Sequence, residues 1–204
     1  MQLEREWLLK IARRRFGSDK NSRHDEARYF PSKAELALII KHAKSFPHKA
    51  AYPLISCAIF TGLRQGELRA LTWDDVNLHD PFPQIQVRRR ADPWGRIGSP
   101  KTAASRRTVP IGPRLVQILK EWEPKCPSSD LRLMFPNGKG KVESTANIWN
   151  RIWEPIVRQS GLTNPDGTIR LRFHDLRHVA ASLFMNKDRP QSESKPSWDT
   201  RAFR

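Results

Sequence analysis

The chain has 204 residues, with 37 Lys plus Arg against 21 Asp plus Glu and a formal net charge of +16, which suits one domain, or one domain and a fragment, able to bury a core without disulfides or metals. The cationic surplus makes nucleic acid the leading partner and an anionic membrane the second, against the bland alternative of a basic ribosome-like or aggregation-prone fragment. Cys57 and Cys126 make no disulfide framework, and no Cys/His spacing suggests zinc or another metal.

The opening run, Met1 to Glu6, is too charged for a signal peptide. Residues 1–31 read as a basic linker or short helix, with Arg13-Arg14-Arg15 and a polar run from Ser18 to Arg28. Ser32-x-x-Glu35 then has the form of a capping box, in which each side chain satisfies a backbone donor of the other residue. Behind it Leu36, Ile39, Ile40 and Ala43 fall on one helical face, and Pro47 ends that helix. A second, largely buried helix spans about Tyr52 to Phe60 and holds Cys57 among apolar neighbours. It breaks at Thr61-Gly62, and a short third helix follows from Gln65 to about Leu71. The most apolar stretch, Ala50 to Phe60, is too short to cross a bilayer and contains Pro53, so cytoplasmic residence is expected, with no membrane partner.

A β region comes next. Gln84 to Arg90 alternates Ile85 and Val87 with polar residues, Gly95 and Gly98 mark a turn, and Arg106 to Ile111 returns as a second strand. Trp73, just upstream, is expected in the core. Pro113 opens a helix with Leu115, Ile118, Leu119 and Trp122 on one face. Asn137-Gly138 is a turn, and Ser144 caps a helix carrying Ile148, Ile152 and Ile156. The last helix starts near His174 and runs to about Met185. Beyond it, 186–204 contains no Leu, Ile or Val, and reads as a disordered tail that cannot offset its ordering entropy. The fold class is therefore mainly α with a small antiparallel hairpin or sheet, the domain spanning 32–185.

Several groups can carry chemistry. Arg64, in Thr61-Gly62-Leu63-Arg64-Gln65-Gly66-Glu67-Leu68, emerges just after a buried helix, where a guanidinium must be paired or face a ligand. Glu67 is close enough on the same helix to hold it, and an internal Arg64–Glu67 bridge is the plainer reading. His174 and Arg177, in Phe173-His174-Asp175-Leu176-Arg177-His178, share one helical face near a helix start and could meet a phosphate there; a polar helix terminus is the plainer alternative. His178 is assigned to packing or support. Lys101 sits in the hairpin region bordered by Arg88, Arg89, Arg90, Arg96, Arg106 and Arg107, where a cationic hairpin could track DNA phosphates, or, the plainer reading for the individual arginines, be a solvated charge run.

Taken in order, Thr-Gly-Leu-Arg-x-Gly-Glu-Leu, a hairpin lysine before Arg-Arg-Thr-Val-Pro-Ile, and His-Asp-Leu-Arg-His resemble the catalytic domain of the tyrosine recombinases, the phage-integrase family. Leu71-Thr72-Trp73-Asp74-Asp75-Val76 fits the same pattern, and the likeness covers about Phe30 to Met185.

The resemblance implies a tyrosine attacking a DNA phosphodiester, with a 3′-phosphotyrosine formed, a 5′-hydroxyl released, and neither metal nor ATP required. By similarity Arg64 and Arg177 clamp the non-bridging oxygens, His174 assists proton transfer, Lys101 protonates the leaving oxygen, and Glu67 orients Arg64. Double-stranded DNA is the implied partner, with an intact recombinase as a further one. The family's Leu-Gly-His-like segment and its tyrosine are not matched. The two tyrosines, Tyr29 and Tyr52, lie far upstream, so no nucleophile is assigned. The expectation is a C-terminally truncated domain, such as a frame-shifted prophage remnant, that binds DNA but cannot cleave it alone and self-assembles poorly. A non-catalytic DNA-binding competitor of an intact integrase, or a poorly folding pseudogene product, are the other readings.

Overall fold

The computed structural model describes residues 29–79, 81–100, 105–177 and 179–180, all within one compact unit. Helix α1, Lys33–Ser45, begins as its capping box dictates. The Ser32 hydroxyl accepts the Glu35 backbone N–H at 3.2 Å, and the Glu35 carboxylate accepts that of Ser32 at 2.7 Å. Leu36, Ile39 and Ala43 face inward. Phe46 turns to extended backbone, the conformation favoured before Pro47.

Helix α2, Ala51–Thr61, is buried along nearly its whole length, with Pro53 in the first turn, where no helical donor is lost. It packs against α1 and against α4, Pro113–Trp122. Helix α3, Gln65–Arg69, stops before the expected Leu71. The Leu71 carbonyl accepts the Met134 N–H at 2.9 Å, and Thr72 bridges to Leu133, so the chain has already left the helix.

The β region is more divided than a single hairpin. Strands β1 (Val76–Asn77), β2 (Gln84–Val87) and β5 (Arg107–Pro110) form an antiparallel sheet in the order β1-β2-β5, with Ile85 opposite Val109 and Val87 opposite Arg107. The expected strand to Arg90 ends at Val87. Arg90–Ala91 (β3) starts a separate two-stranded ribbon with Ile97–Gly98 (β4), so Gly95 closes this inner ribbon rather than the larger pair. β1 has two residues, too few to show a period in sequence.

The isoleucine helix is also broken. Ser144 caps α5 (Thr145–Ile148), a π-helical turn spans Trp149–Trp153, and α6 (Glu154–Gln159) follows. Pro155 lacks a donor and its ring crowds the carbonyl four residues back, which accounts for the wider turn just ahead of it. Ile148, Ile152 and Ile156 remain buried throughout. Trp73 is half-buried rather than in the core; it opens a 3₁₀ turn, Trp73–Asp75, whose inner position is taken by Asp75. A further 3₁₀ turn, Phe173–Asp175, precedes the final helix, which begins at Leu176. The expectations for 1–28, for the final helix beyond Ala180 and for the tail lie outside the described residues.

Candidate nucleic-acid interface

The break after α2 sets the first arginine in place. Gly62 adopts left-handed backbone (φ +60°) and donates to the Ala58 carbonyl at 3.0 Å, a glycine C-cap that turns the chain sharply out of the core. Two residues later Arg64 starts α3 with its side chain half exposed, 50%.

Glu67, buried one turn on, is the hub. Its carboxylate accepts the Arg64 backbone N–H at 2.9 Å and the Arg64 guanidinium at 3.3 Å. It also takes both terminal nitrogens of Arg107 on β5, at 2.9 and 2.5 Å. Burial alone would raise the Glu67 pKa, but the Arg107 hydrogen bonds and charge, with smaller help from Arg64, hold it below the usual carboxylate range. A charged carboxylate thus sits beneath Arg64 and fixes where its guanidinium lies.

The second arginine arrives from the far end of the chain. Trp153 donates its indole N–H to the Leu171 carbonyl at 2.9 Å and meets Phe173 edge-on at 5.3 Å, which seats the 3₁₀ turn carrying His174. On the next turn Arg177 donates to the Gly62 carbonyl at 3.0 Å. The packing is tight: a Cβ on Gly62 would lie 3.0 Å from that of Ala180. Arg177 is therefore anchored two residues from Arg64, although 113 positions separate them in the chain. His174 is exposed beside this junction and Arg177 is half-buried.

An open cleft of about 500 Å³ adjoins Arg64 and Glu67, lined also by Arg69, Arg90, Ser105 and Thr145. Of the hairpin arginines singled out by sequence, Arg88, Arg90, Arg96 and Arg106 are all exposed, but only Arg90 lines the cleft. Arg88 instead faces Asp75 at 3.6 Å. Lys101 and His178 lie outside the described residues.

Two arginines take roles the sequence does not suggest: Arg107, one of the hairpin's charge run, is not solvated but grips Glu67, and Arg69 belongs to no cluster singled out above. Arg107 shares strand parity with buried Val109, so the alternation that marked the strand already placed it inward. Arg69 is buried, 3% exposed, and donates to the carbonyls of Glu143 at 2.5 Å and Asp92 at 2.9 Å. Nothing in its local sequence signals that long-range role. Among the described residues no cluster of three or more His, Cys, Asp or Glu could hold a metal, and no helix is long and apolar enough to cross a membrane. Burial pushes the Cys57 thiol up to about 12, which leaves it a core residue.

Comparison with known proteins agrees with this architecture. The chain is 29% identical to an integrase of Streptomyces ambofaciens, in a match covering 80% of this chain and 45% of that one. It is 27% identical to a XerC-like tyrosine recombinase of Caldanaerobacter subterraneus, covering 78% and 44%. The chain thus spans less than half the length of these relatives. In fold it resembles XerA recombinase, with a TM-score of 0.62 at 21% identity over 84% of this chain and 54% of that one. It also resembles the Tn1549 transposon integrase solved in complex with circular intermediate DNA, with a TM-score of 0.67 at 16% identity over 92% and 73%. The phage integrase family model matches residues 31–193. The chain belongs to the phage integrase family, and its fold is that of a tyrosine recombinase catalytic domain.

Proposed function

We propose that this chain engages duplex DNA and holds one phosphodiester between Arg64 and Arg177, as the phosphate-binding part of a site-specific recombinase. The observation that carries this reading is the Arg177 hydrogen bond to the Gly62 carbonyl, which joins the two guanidinium-bearing segments at one turn. Planar two-pronged donors suit the non-bridging oxygens of a phosphate that gains negative charge in strand transfer. His174, exposed three residues before Arg177, would hydrogen-bond that phosphate and move a proton. Lys101 would serve the leaving oxygen; Ser105, just beyond it in the chain, lines the cleft beside Arg64. Glu67 positions Arg64, and a supporting role is assigned to His178.

Transfer itself needs a tyrosine. The Tyr29 hydroxyl donates to Glu35, and burial followed by that carboxylate raises its pKa, which makes it a poor nucleophile. Tyr52 lies on α2, outside the matched motifs. Neither Tyr29 nor Tyr52 is therefore assigned as the nucleophile, and duplex DNA, alongside an intact recombinase, is the proposed partner.

Titrating the chain with labelled duplex across a salt series is the direct test. Arg64→Ala with Arg177→Ala should weaken binding and lower the log-affinity against log-salt slope by roughly two, about 0.9 for each phosphate no longer neutralised. An unchanged slope would refute the clamp. A covalent adduct trapped through Tyr29 or Tyr52 on a nicked suicide substrate would overturn the statement that neither is the nucleophile.

A further inference from the structure

We propose that Trp94, at the tip of the β3–β4 ribbon, is a second DNA-binding residue, an indole that packs against sugar and base edges of the duplex beside the phosphate clamp. The inference rests on the DNA-binding reading above and extends it to a residue outside the matched motifs.

Trp94 is 82% exposed, more than Phe30, Phe82, Leu38 or Leu131, the other exposed large apolar side chains among the described residues. An indole so placed gains nothing for folding. The turn that presents it is nonetheless tightly built. Asp92 donates its backbone N–H to the Arg96 carbonyl at 2.9 Å, Gly95 donates to the Asp92 carbonyl at 3.1 Å, and the Asp92 carboxylate accepts the Arg96 N–H at 2.8 Å. Pro93 fixes one backbone angle, and Gly95 supplies the left-handed one, φ +86°.

The ribbon is also braced from below. Buried Arg69 ties the Asp92 carbonyl to that of Glu143, and a Cβ on Gly66 would meet the Ala91 carbonyl at 2.8 Å, so α3 presses directly on β3. The helix that begins at Arg64 and the ribbon that ends in Trp94 are thereby held together. A fixed aromatic surface loses little conformational freedom on binding, which is what recognition surfaces require.

Charge identifies the occupant. Arg90 and Arg96 flank the tip, both exposed, and neither makes a salt bridge with a described residue. An aromatic ring between arginines fits a polyanion with stackable or apolar faces between its charges, and duplex DNA has both. Arg90 lines the cleft, and Trp94 follows four residues later. Trp94 and this cleft-lining arginine thus belong to one ribbon, which would bring the indole to the duplex beside the clamped phosphate.

The test is a fluorescence-anisotropy titration of the full chain with a short mixed-sequence duplex over a salt series. Trp94→Ala should weaken binding about tenfold at every salt concentration without changing the slope, because stacking releases no counterions. Trp94→Phe should restore most of the affinity, and Arg96→Ala should instead lower the slope by about one. The thermal transition of Trp94→Ala should match the parent. If the parent binds and Trp94→Ala stays within about twofold of it at all salts, the role of Trp94 is refuted while the arginine clamp stands. If Trp94→Ala leaves DNA binding intact and abolishes concentration-dependent self-association, the tip is an interface between copies and the inference is likewise wrong. A parent that fails to bind duplex overturns both readings together.

Discussion

Glu67 and Asp75 are both buried carboxylates, eight positions apart, and each meets two arginines, yet they serve different ends. Glu67 uses both oxygens: Arg107 grips them at 2.9 and 2.5 Å, and Arg64 closes on Oε1 at 3.3 Å. Asp75 concentrates its bonds on Oδ2, which accepts from Arg89 at 2.8 Å and the Thr72 hydroxyl at 2.9 Å. Its Oδ1 has no hydrogen bond and faces Arg88 at 3.6 Å. Around Asp75 the arginines tie a turn to the end of β2. Around Glu67 one arginine neutralises the acid, and the other is left half exposed over a cleft. A buried acid becomes part of a binding site when a second cation has already met its charge, because the first can then turn to a ligand.

The strongest way to break this contrast is to remove Arg107. Its side chain is 15% exposed, so Arg107→Ala leaves a nearly buried carboxylate short of its main partner. The expected cost is about 3 kcal/mol, a fall in Tm of roughly 6–12 °C by thermal or denaturant unfolding. The pH dependence carries a second signature. Glu67 has a depressed pKa in the folded parent, so its contribution is complete above the unfolded value, about 4.3, and is lost as pH falls through the folded value. Without Arg107 burial dominates, and protonation then relieves the variant rather than harming it. The gap between parent and Arg107→Ala should therefore begin to narrow on acidification while pH is still above about 4.3, as the variant's raised carboxyl takes its proton, and narrow further as pH falls through the parent's depressed value; a gap constant with pH would mean that Arg107 acts through packing alone.

Asp75→Asn should cost less, about 1 kcal/mol. Arg89 is 40% exposed and can turn to water, and the amide keeps an acceptor for Thr72. Equal destabilisation by Asp75→Asn and Arg107→Ala would erase the distinction between the two acids.

How much of this was legible in sequence depends on the range of the signal. Ser32 and Glu35 form their capping box because both partners lie within one turn, and Gly62 ends α2 because its backbone freedom is local. The motifs around Arg64 and Arg177 were readable as a family resemblance, but their meeting at the Gly62 carbonyl is a tertiary fact. The β region misled where order came from elsewhere. Arg88 to Arg90 looks like one strand end and one charge run, whereas β2 stops at Val87 and each arginine takes a different task. Strand parity would have recovered part of this. Arg89 follows the inward face of Ile85 and Val87, and Arg107 that of Val109, which sends both toward buried acids. No periodicity could show Arg69 reaching Asp92 and Glu143, since those partners are 23 and 74 positions away.

The smallest predicted effect compares Arg88 with Arg90, both exposed and two residues apart. Sequence treats them alike, as DNA-tracking cations. Arg88 is 54% exposed at 3.6 Å from Asp75 and also bonds the Gln86 amide oxygen. A half-exposed pair at that distance contributes little, so Arg88→Ala should change stability by no more than about 0.5 kcal/mol. Because its guanidinium is turned toward Asp75, the salt slope of DNA binding should stay at the parent's value. Arg90 makes no salt bridge with a described residue and lines the cleft beside Arg64, so Arg90→Ala should leave stability equally untouched and lower the slope by about one. The two slopes, measured on the same duplex, decide between partner and charge as the determinant of DNA engagement. Equal drops would mean that any exposed arginine on this surface tracks phosphate, whatever acid it faces in the free protein. A drop for Arg90 alone would mean that the carboxylates beneath the sheet select which cations reach the DNA.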